Sequence, residues 1–192
     1  MFDNELNLLD SYNKINLVPF GEFLPFEKIL SKIGLKTITN NYQSYSKGNL
    51  RKIMKISNDM VDLKLLPLIC YEINYSGSIS KKNNFDFIVN ISEDGWFGES
   101  IGPKQHFVHS IFRSIESGKY ILRSANNGIT AIINPLGIAE KKVNLTESGY
   151  IDFEYLKNSK PTVFSMLGNK IFGLFILLYI FLIISFNREK NE

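Results

Sequence analysis

The sequence predicts an α/β protein, a layered α–β–β–α arrangement, with one apolar helix at its C-terminal end. Three observations carry this. The apolar runs Leu63–Tyr71, Phe85–Ile91 and Gly128–Pro135 have the length of buried strands and are bounded by polar or glycine-containing turns. Between the second and third run, Gln105–Ser117 places Phe107, Val108, Ile111, Phe112 and Ile115 at helical spacing. Strands that alternate with helices favour layered α/β packing. Finally, Ile171–Phe186 runs for 16 residues without a charge.

Taken in order, Met1–Asp10 holds Asp3, Glu5 and Asp10, with neither a basic start nor an apolar core, so no secretory signal peptide is expected there. Tyr12–Pro25 contains the rigid turn Val18-Pro19-Phe20-Gly21. The three strands and the helix follow, with Ser76–Lys82 a short helix or loop and Asn134-Pro135-Leu136-Gly137 closing the last strand. Arg123–Gly128 reads as a strand-to-turn connection. Without a repeat, linker or low-complexity tract, residues 1–160 form one unit. Extending the apolar tract back to Val163 gives 24 residues, interrupted only by Asn169 and Lys170. About 20 mostly apolar residues cross a bilayer, and Lys170 can snorkel to its surface. A membrane helix over 163–186 is therefore expected, with a polar tail at 187–192. A buried core helix would seldom be apolar on every face. Lys157, Lys160 and Lys170 before the span and Arg188 and Lys190 after it leave its orientation open.

Composition narrows the function. The 192 residues suit one ordinary domain, and 44% hydrophobic with 21% charged residues exclude a disordered or collagen-like chain. With 22 basic against 19 acidic side chains, the charge is too balanced to suggest nucleic acid as a partner. Cys70, the single cysteine, excludes an intramolecular disulfide and any multi-cysteine zinc site.

Three stretches can carry chemistry. Cys70 ends an apolar strand and precedes Tyr71 and Glu72; a strand end fixes a nucleophile while the turn exposes it. The same position also suits a small core residue. Lys14 and Glu22 flank the Pro-Gly turn, where an ammonium can stabilise an oxyanion and a carboxylate can hold that ammonium or move protons. They can equally be a surface pair. Asn90–His106 holds three glycines and the only tryptophan, and Trp96 and Phe97 suit either the wall of a binding site or core anchors. His106 and His109 lack the further ligands a metal needs, so no metal is expected.

Together these stretches resemble the carbon–nitrogen hydrolase (nitrilase) superfamily, and within it a membrane-bound acyltransferase branch. The resemblance rests on YNKINLVPFGEFLP (12–25), PLICYEI (67–73), NISEDGWFGESIGPKQH (90–106) and LRSANNGITAII (122–133), and on GNK (168–170) ahead of the apolar helix. It implies a four-layer α–β–β–α sandwich with a Glu–Lys–Cys triad. By motif match Cys70 is the nucleophile, Lys14 the oxyanion-stabilising lysine and Glu22 an accessory glutamate. Glu72 and Trp96 match further positions linked to activity, with Phe97 and Tyr71 beside them as substrate-binding candidates. The implied reaction carries a fatty acyl chain from a phospholipid donor, through a Cys70 thioester, to the N-terminal amine of a diacylated apolipoprotein. No cofactor is implied. The expected location is the cytoplasmic (inner) membrane, with the catalytic domain on its outer, periplasmic side.

The chain departs from the pattern in one respect. The superfamily's triad glutamate lies well upstream of the lysine motif, in a Trp-Pro-Glu-like context that Glu5 and its neighbours lack. The sandwich is therefore expected to be incomplete at the N-terminus, with an upstream chain supplying the base and further membrane helices. Two other classes remain: an amidase whose base has been replaced by Glu72, and a non-catalytic membrane-tethered remnant.

Overall fold

The computed structural model describes residues 1–26, 29, 32, 45–57, 62–77, 84–154 and 160–189. Its frame is a six-stranded sheet in the order β1 (Met54–Ser57), β2 (Asp62–Ile69), β3 (Phe87–Glu93), β4 (Tyr120–Asn126), β5 (Thr130–Ile133) and β6 (Ala139–Val143). The central strands β2, β3 and β4 are parallel, and the outer pairs are antiparallel. Helix α1 (Gly102–Ser117) makes the crossover from β3 to β4. The three apolar runs are the strands β2, β3 and β5. The residues read as a connection after Leu122 belong largely to β4, and β1 and β6 add the edges.

Register explains why the centre is apolar. Leu66 pairs with Ile88, and Ile88 with Ile121, so their side chains line one face. Leu68, Ala131 and Ile133 join them there, and Phe107 and Ile111 of α1 pack on top. The other face carries Met54, Leu65 and Phe87, flanked by Val89, Tyr120 and Leu122, with Met1 and Tyr12 against it. Among the described residues there is one sheet with α1 against it, so two of the four expected layers are present and the second sheet is not among them.

Helix α1 begins with Pro103 in its first turn, where a missing N–H costs nothing. It ends at Gly118 (φ 66°), whose N–H bonds back to Ser114, a left-handed cap that glycine adopts without strain. Its apolar residues divide. Phe107 and Ile111 face the sheet, whereas Val108, Phe112 and Ile115 lie exposed. The buried side is largely polar, with His106, Ser110, Arg113, Ser114 and Ser117.

The C-terminal apolar tract is two helices, not one. Thr162 caps the short α2 (Val163–Leu167) by accepting the Ser165 N–H, and the chain turns at Gly168 (φ 55°). Helix α3 (Lys170–Glu189) follows; its residues 170–187 have a mean hydropathy of 2.2 and none of them is buried. That length and composition suffice to cross a membrane. The 78–82 part of the predicted helix or loop over Ser76–Lys82, and residues 190–192 of the tail, lie outside the described residues.

Leu66 is fully buried in the centre of the sheet, while Leu136 is 77% exposed. Leu66→Ala is expected to cost about 2–5 kcal/mol and Leu136→Ala no more than about 0.5 kcal/mol, measured by denaturant unfolding in detergent.

Candidate active site

The chemistry-bearing residues gather at the carboxyl ends of the parallel strands, where open α/β sheets place their sites. Strand β2 delivers Cys70, which opens a tight 3-10 turn over Cys70–Asn74. Its φ of 50° puts a non-glycine residue in the left-handed region, at a cost on the order of 1–3 kcal/mol that surrounding contacts must offset. The half-buried sulfur lies 4.0 Å from the Glu93 carbonyl oxygen at the end of β3.

Glu72 supplies the principal contacts. Its carboxylate is fully buried and accepts from the backbone N–H of Ile69 (2.8 Å), Ile15 (2.9 Å) and Asn16 (3.1 Å). The Tyr12 hydroxyl donates at 2.8 Å and Arg51 lies at 3.4 Å. Burial pushes the Tyr12 phenol well above its ordinary range, which keeps it a donor. A carboxylate has about four lone-pair sites, and these five donors fill them. None of these contacts involves the Cys70 sulfur, which argues against Glu72 as a replacement base. One carboxylate thus joins the turn that carries Cys70 to the segment that carries Lys14.

Lys14 is itself held. Its ammonium lies 2.7 Å from Glu22 Oε1, with both side chains mostly buried, and Glu22 Oε2 accepts the Val18 N–H at 2.9 Å. Lys14 and Glu22 therefore form a hydrogen-bonded pair across the Pro-Gly turn. The 45–48 segment closes over it: the Gly48 N–H bonds to the Lys14 carbonyl and the Tyr45 N–H to that of Glu22.

Beneath Cys70 sits a buried polar cluster that sequence reasoning missed. Arg123, on the helix-covered face of β4, is 2% exposed; it pairs with Asp94 Oδ2 at 2.6 Å and also bonds the Asn90 side chain. Asp94 Oδ1 takes the Ser92 hydroxyl and His106 Nδ1, each at 2.7 Å. His106 Nε2 lies 3.3 Å from the carbonyl oxygen of Cys70. Burial pushes Asp94 upward, but the His106 hydrogen bond and the Arg123 charge outweigh it and hold the carboxyl below its usual value. The missed signal was strand parity. Arg123 stands two residues after Ile121 on the same core-facing side, and a charge at such a position requires a buried partner.

The loop after β3 presents Trp96 almost fully to solvent, at 84% exposure. Phe97 turns back, packing its ring against His106 with centroids 5.6 Å apart. Tyr71 meets Tyr75 edge-on at 5.6 Å, beside Cys70. Glu93 accepts from Asn126, Asn127 and the Gly95 N–H, which hold its carboxyl below the ordinary range and fasten the loop to the turn after β4. Trp96 and Phe97 therefore border the Cys70 end of the sheet without belonging to its core. His106 faces inward, while His109 lines a shallow groove on the outer side of α1.

Residues 1–155 match the carbon-nitrogen hydrolase family, and the chain belongs to that family. In fold it is similar to the amidase from Nesterenkonia sp. AN1, at a TM-score of 0.50 and 15% identity over 75% of this chain and 51% of the amidase. Among curated proteins it is similar to the apolipoprotein N-acyltransferase of Rickettsia typhi, 42% identical over 87% of this chain and 33% of the relative. The Rickettsia bellii protein of that name is 44% identical over 92% of this chain and 34% of its own length. That of Bradyrhizobium diazoefficiens is 34% identical over 100% and 35%. The chain thus spans about a third of the length of the curated relatives it matches.

Glu72→Gln exchanges an acceptor oxygen for an amide that points donors at donors. It is expected to destabilise the chain by about 3–5 kcal/mol, seen as a lower denaturant midpoint. Asp94 has a folded value below the ordinary 3.8, so its stabilisation is present above that value and is lost as the pH falls through the folded one. The gap in thermal midpoint between wild type and Asp94→Asn should accordingly shrink from pH 7 to pH 3.

Proposed function

We propose that this chain carries the cysteine and lysine of an enzyme that N-acylates lipoproteins. The observation that supports it most is the shared anchor: Lys14 and Cys70 belong to distant segments whose backbones end on one carboxylate. That arrangement occurs in a carbon-nitrogen hydrolase chain similar to apolipoprotein N-acyltransferases.

In the first half-reaction the Cys70 thiolate attacks the ester carbonyl of a phospholipid. A C–S bond forms, the Lys14 ammonium stabilises the oxyanion, and the ester C–O bond breaks to release a lysophospholipid that takes up a proton. In the second, the free amine of a diacylglyceryl-cysteine attacks the thioester. An amide forms, the C–S bond breaks, and the amine's proton is lost as the thiolate returns. Glu22 holds Lys14 in place, Glu72 positions both segments, and Trp96, Phe97 and Tyr71 border the acyl chain. In this reading the general base is a glutamate supplied by an upstream segment, since the Glu72 carboxylate is taken up by its own donors. Helix α3 anchors the site in the cytoplasmic membrane with the catalytic domain on its outer face, beside two lipid substrates, and this raises their effective concentration.

The test is the intact mass of the detergent-purified chain after incubation with phosphatidylethanolamine, alone and with an added upstream segment. A hydroxylamine-sensitive acyl adduct on wild type and not on Cys70→Ala is the expected result. Absence of an adduct from folded material in both settings, or turnover of small amides without lipid, would overturn it. Lys14→Met should slow adduct formation roughly 100- to 1,000-fold, as loss of one oxyanion donor does.

A further inference from the structure

The two ring nitrogens of His106 both face acceptors. Nδ1 lies 2.7 Å from the Asp94 carboxylate, and Nε2 lies 3.3 Å from the Cys70 carbonyl oxygen. A neutral imidazole has one N–H and one lone pair. With its hydrogen on Nδ1, a lone pair would confront the carbonyl; with it on Nε2, a lone pair would confront the carboxylate. Only the doubly protonated ring bonds both.

The surroundings agree with a cation. The Ser92 hydroxyl, 3.4 Å from Nδ1, spends its hydrogen on Asp94. Arg123 Nη2, 3.3 Å from Nδ1, lies closer to Asp94 Oδ2 at 2.6 Å. Phe97 covers one side of the ring, and on α1 itself His109 is held below its ordinary value by burial and by the Arg113 and His106 charges. Within this cluster the charges are then Asp94 negative against Arg123 and His106 positive, while the buried Glu72 carboxylate is matched by Arg51. The cluster lacks one negative charge, and a thiolate at Cys70, whose carbonyl His106 holds, would supply it. The same bond steadies the left-handed backbone at Cys70, φ 50°, which the nucleophile's own side chain does not favour.

We propose that His106 is a positioning residue for Cys70: its imidazolium, fixed by Asp94 and Arg123, clamps the Cys70 carbonyl, holds the strained turn and balances the thiolate. The proposal rests on the reading of Cys70 as the nucleophile, but its tests require no acyl transfer.

The first test is the ¹⁵N spectrum of histidine-labelled full chain in detergent at pH 7. With only two histidines in the sequence, His109→Gln assigns the remaining signals. Two protonated ring nitrogens on His106 are expected, and a neutral tautomer would overturn the proposal whether or not any variant folds. The second is the rate of Cys70 alkylation by iodoacetamide as a function of pH. His106→Gln keeps a donor and removes the charge. It should alkylate about tenfold more slowly at pH 7, because loss of the cation leaves less thiolate to react, and converge with wild type at high pH. His106→Leu, which also lacks the donor, should be slower still. Equal rates and equal pH midpoints in folded wild type and His106→Gln would overturn the proposal. A normal alkylation profile with no acyl adduct would instead remove the acyltransferase reading and leave the role of His106 standing.

Discussion

The buried carboxylate of Glu72 is the constraint on which the site depends. An ion taken out of water needs compensation for every lone pair, and here the compensation comes from three separate stretches of chain. Tyr12, Ile15 and Asn16 come from the lysine segment, Arg51 from the strand β1 approach, and Ile69 from the end of β2. The N-terminal segment has little regular structure of its own, only isolated bridges at Phe2–Leu8 and Pro19–Phe23. Its placement over the sheet is therefore set by where its N–H groups find an acceptor. Glu72 sits two residues from Cys70, so the acceptor that fixes the lysine segment also fixes the distance between ammonium and thiol.

A second buried ionic cluster lies below the same cysteine, and it explains an odd feature of α1. A crossover helix ordinarily turns its apolar stripe to the sheet. Here the sheet beneath its first half ends in Asn90, Ser92 and Arg123, and the helix answers with His106 and Ser110. Short serines further along bring the helix close: Ser114 bonds the carbonyls of Lys119 and Asn134, and Ser117 that of Arg113. Val108, Phe112 and Ile115 are left on the outside as the geometric consequence. Gly128 belongs to the same economy of space, since a side chain there would meet the Asp94 carboxylate.

What could be read from sequence follows from which signals are local. Long apolar runs in β2 and β3 announced buried parallel strands because both their faces are covered or flanked by apolar neighbours. Pairing Cys70 with Lys14 came only from the resemblance, because nothing local brings residues 56 apart together. β4 escaped notice because Arg123 and Asn126 interrupt its apolar pattern, and β1 and β6 because edge strands of four and five residues with lysines look like surface loop. Asp94 drew no reading of its own, and His106 read as a metal candidate without further ligands. Their shared acceptor and donor are twelve residues apart in sequence and meet only when α1 folds back over β3.

The junction between the Cys70 turn and the apolar helix shows how far these constraints extend. Arg113 donates to the Asn74 carbonyl at the end of the Cys70 turn and pairs with Glu116 at 2.6 Å; Glu116 also accepts the Ser76 hydroxyl, and its carbonyl accepts that of Thr162, the cap of α2. A residue later, Gly77 (φ 68°) leaves the space into which Asn169 packs, and Asn169 bonds the Ser76 carbonyl. The start of α3 is thus held to the segment that leaves Cys70, through side chains on one turn of α1. A helix long and apolar enough for a bilayer is tied to the Cys70 turn by short polar contacts. A lipid surface around α3 would then lie at a height relative to the Cys70 sulfur that the fold sets.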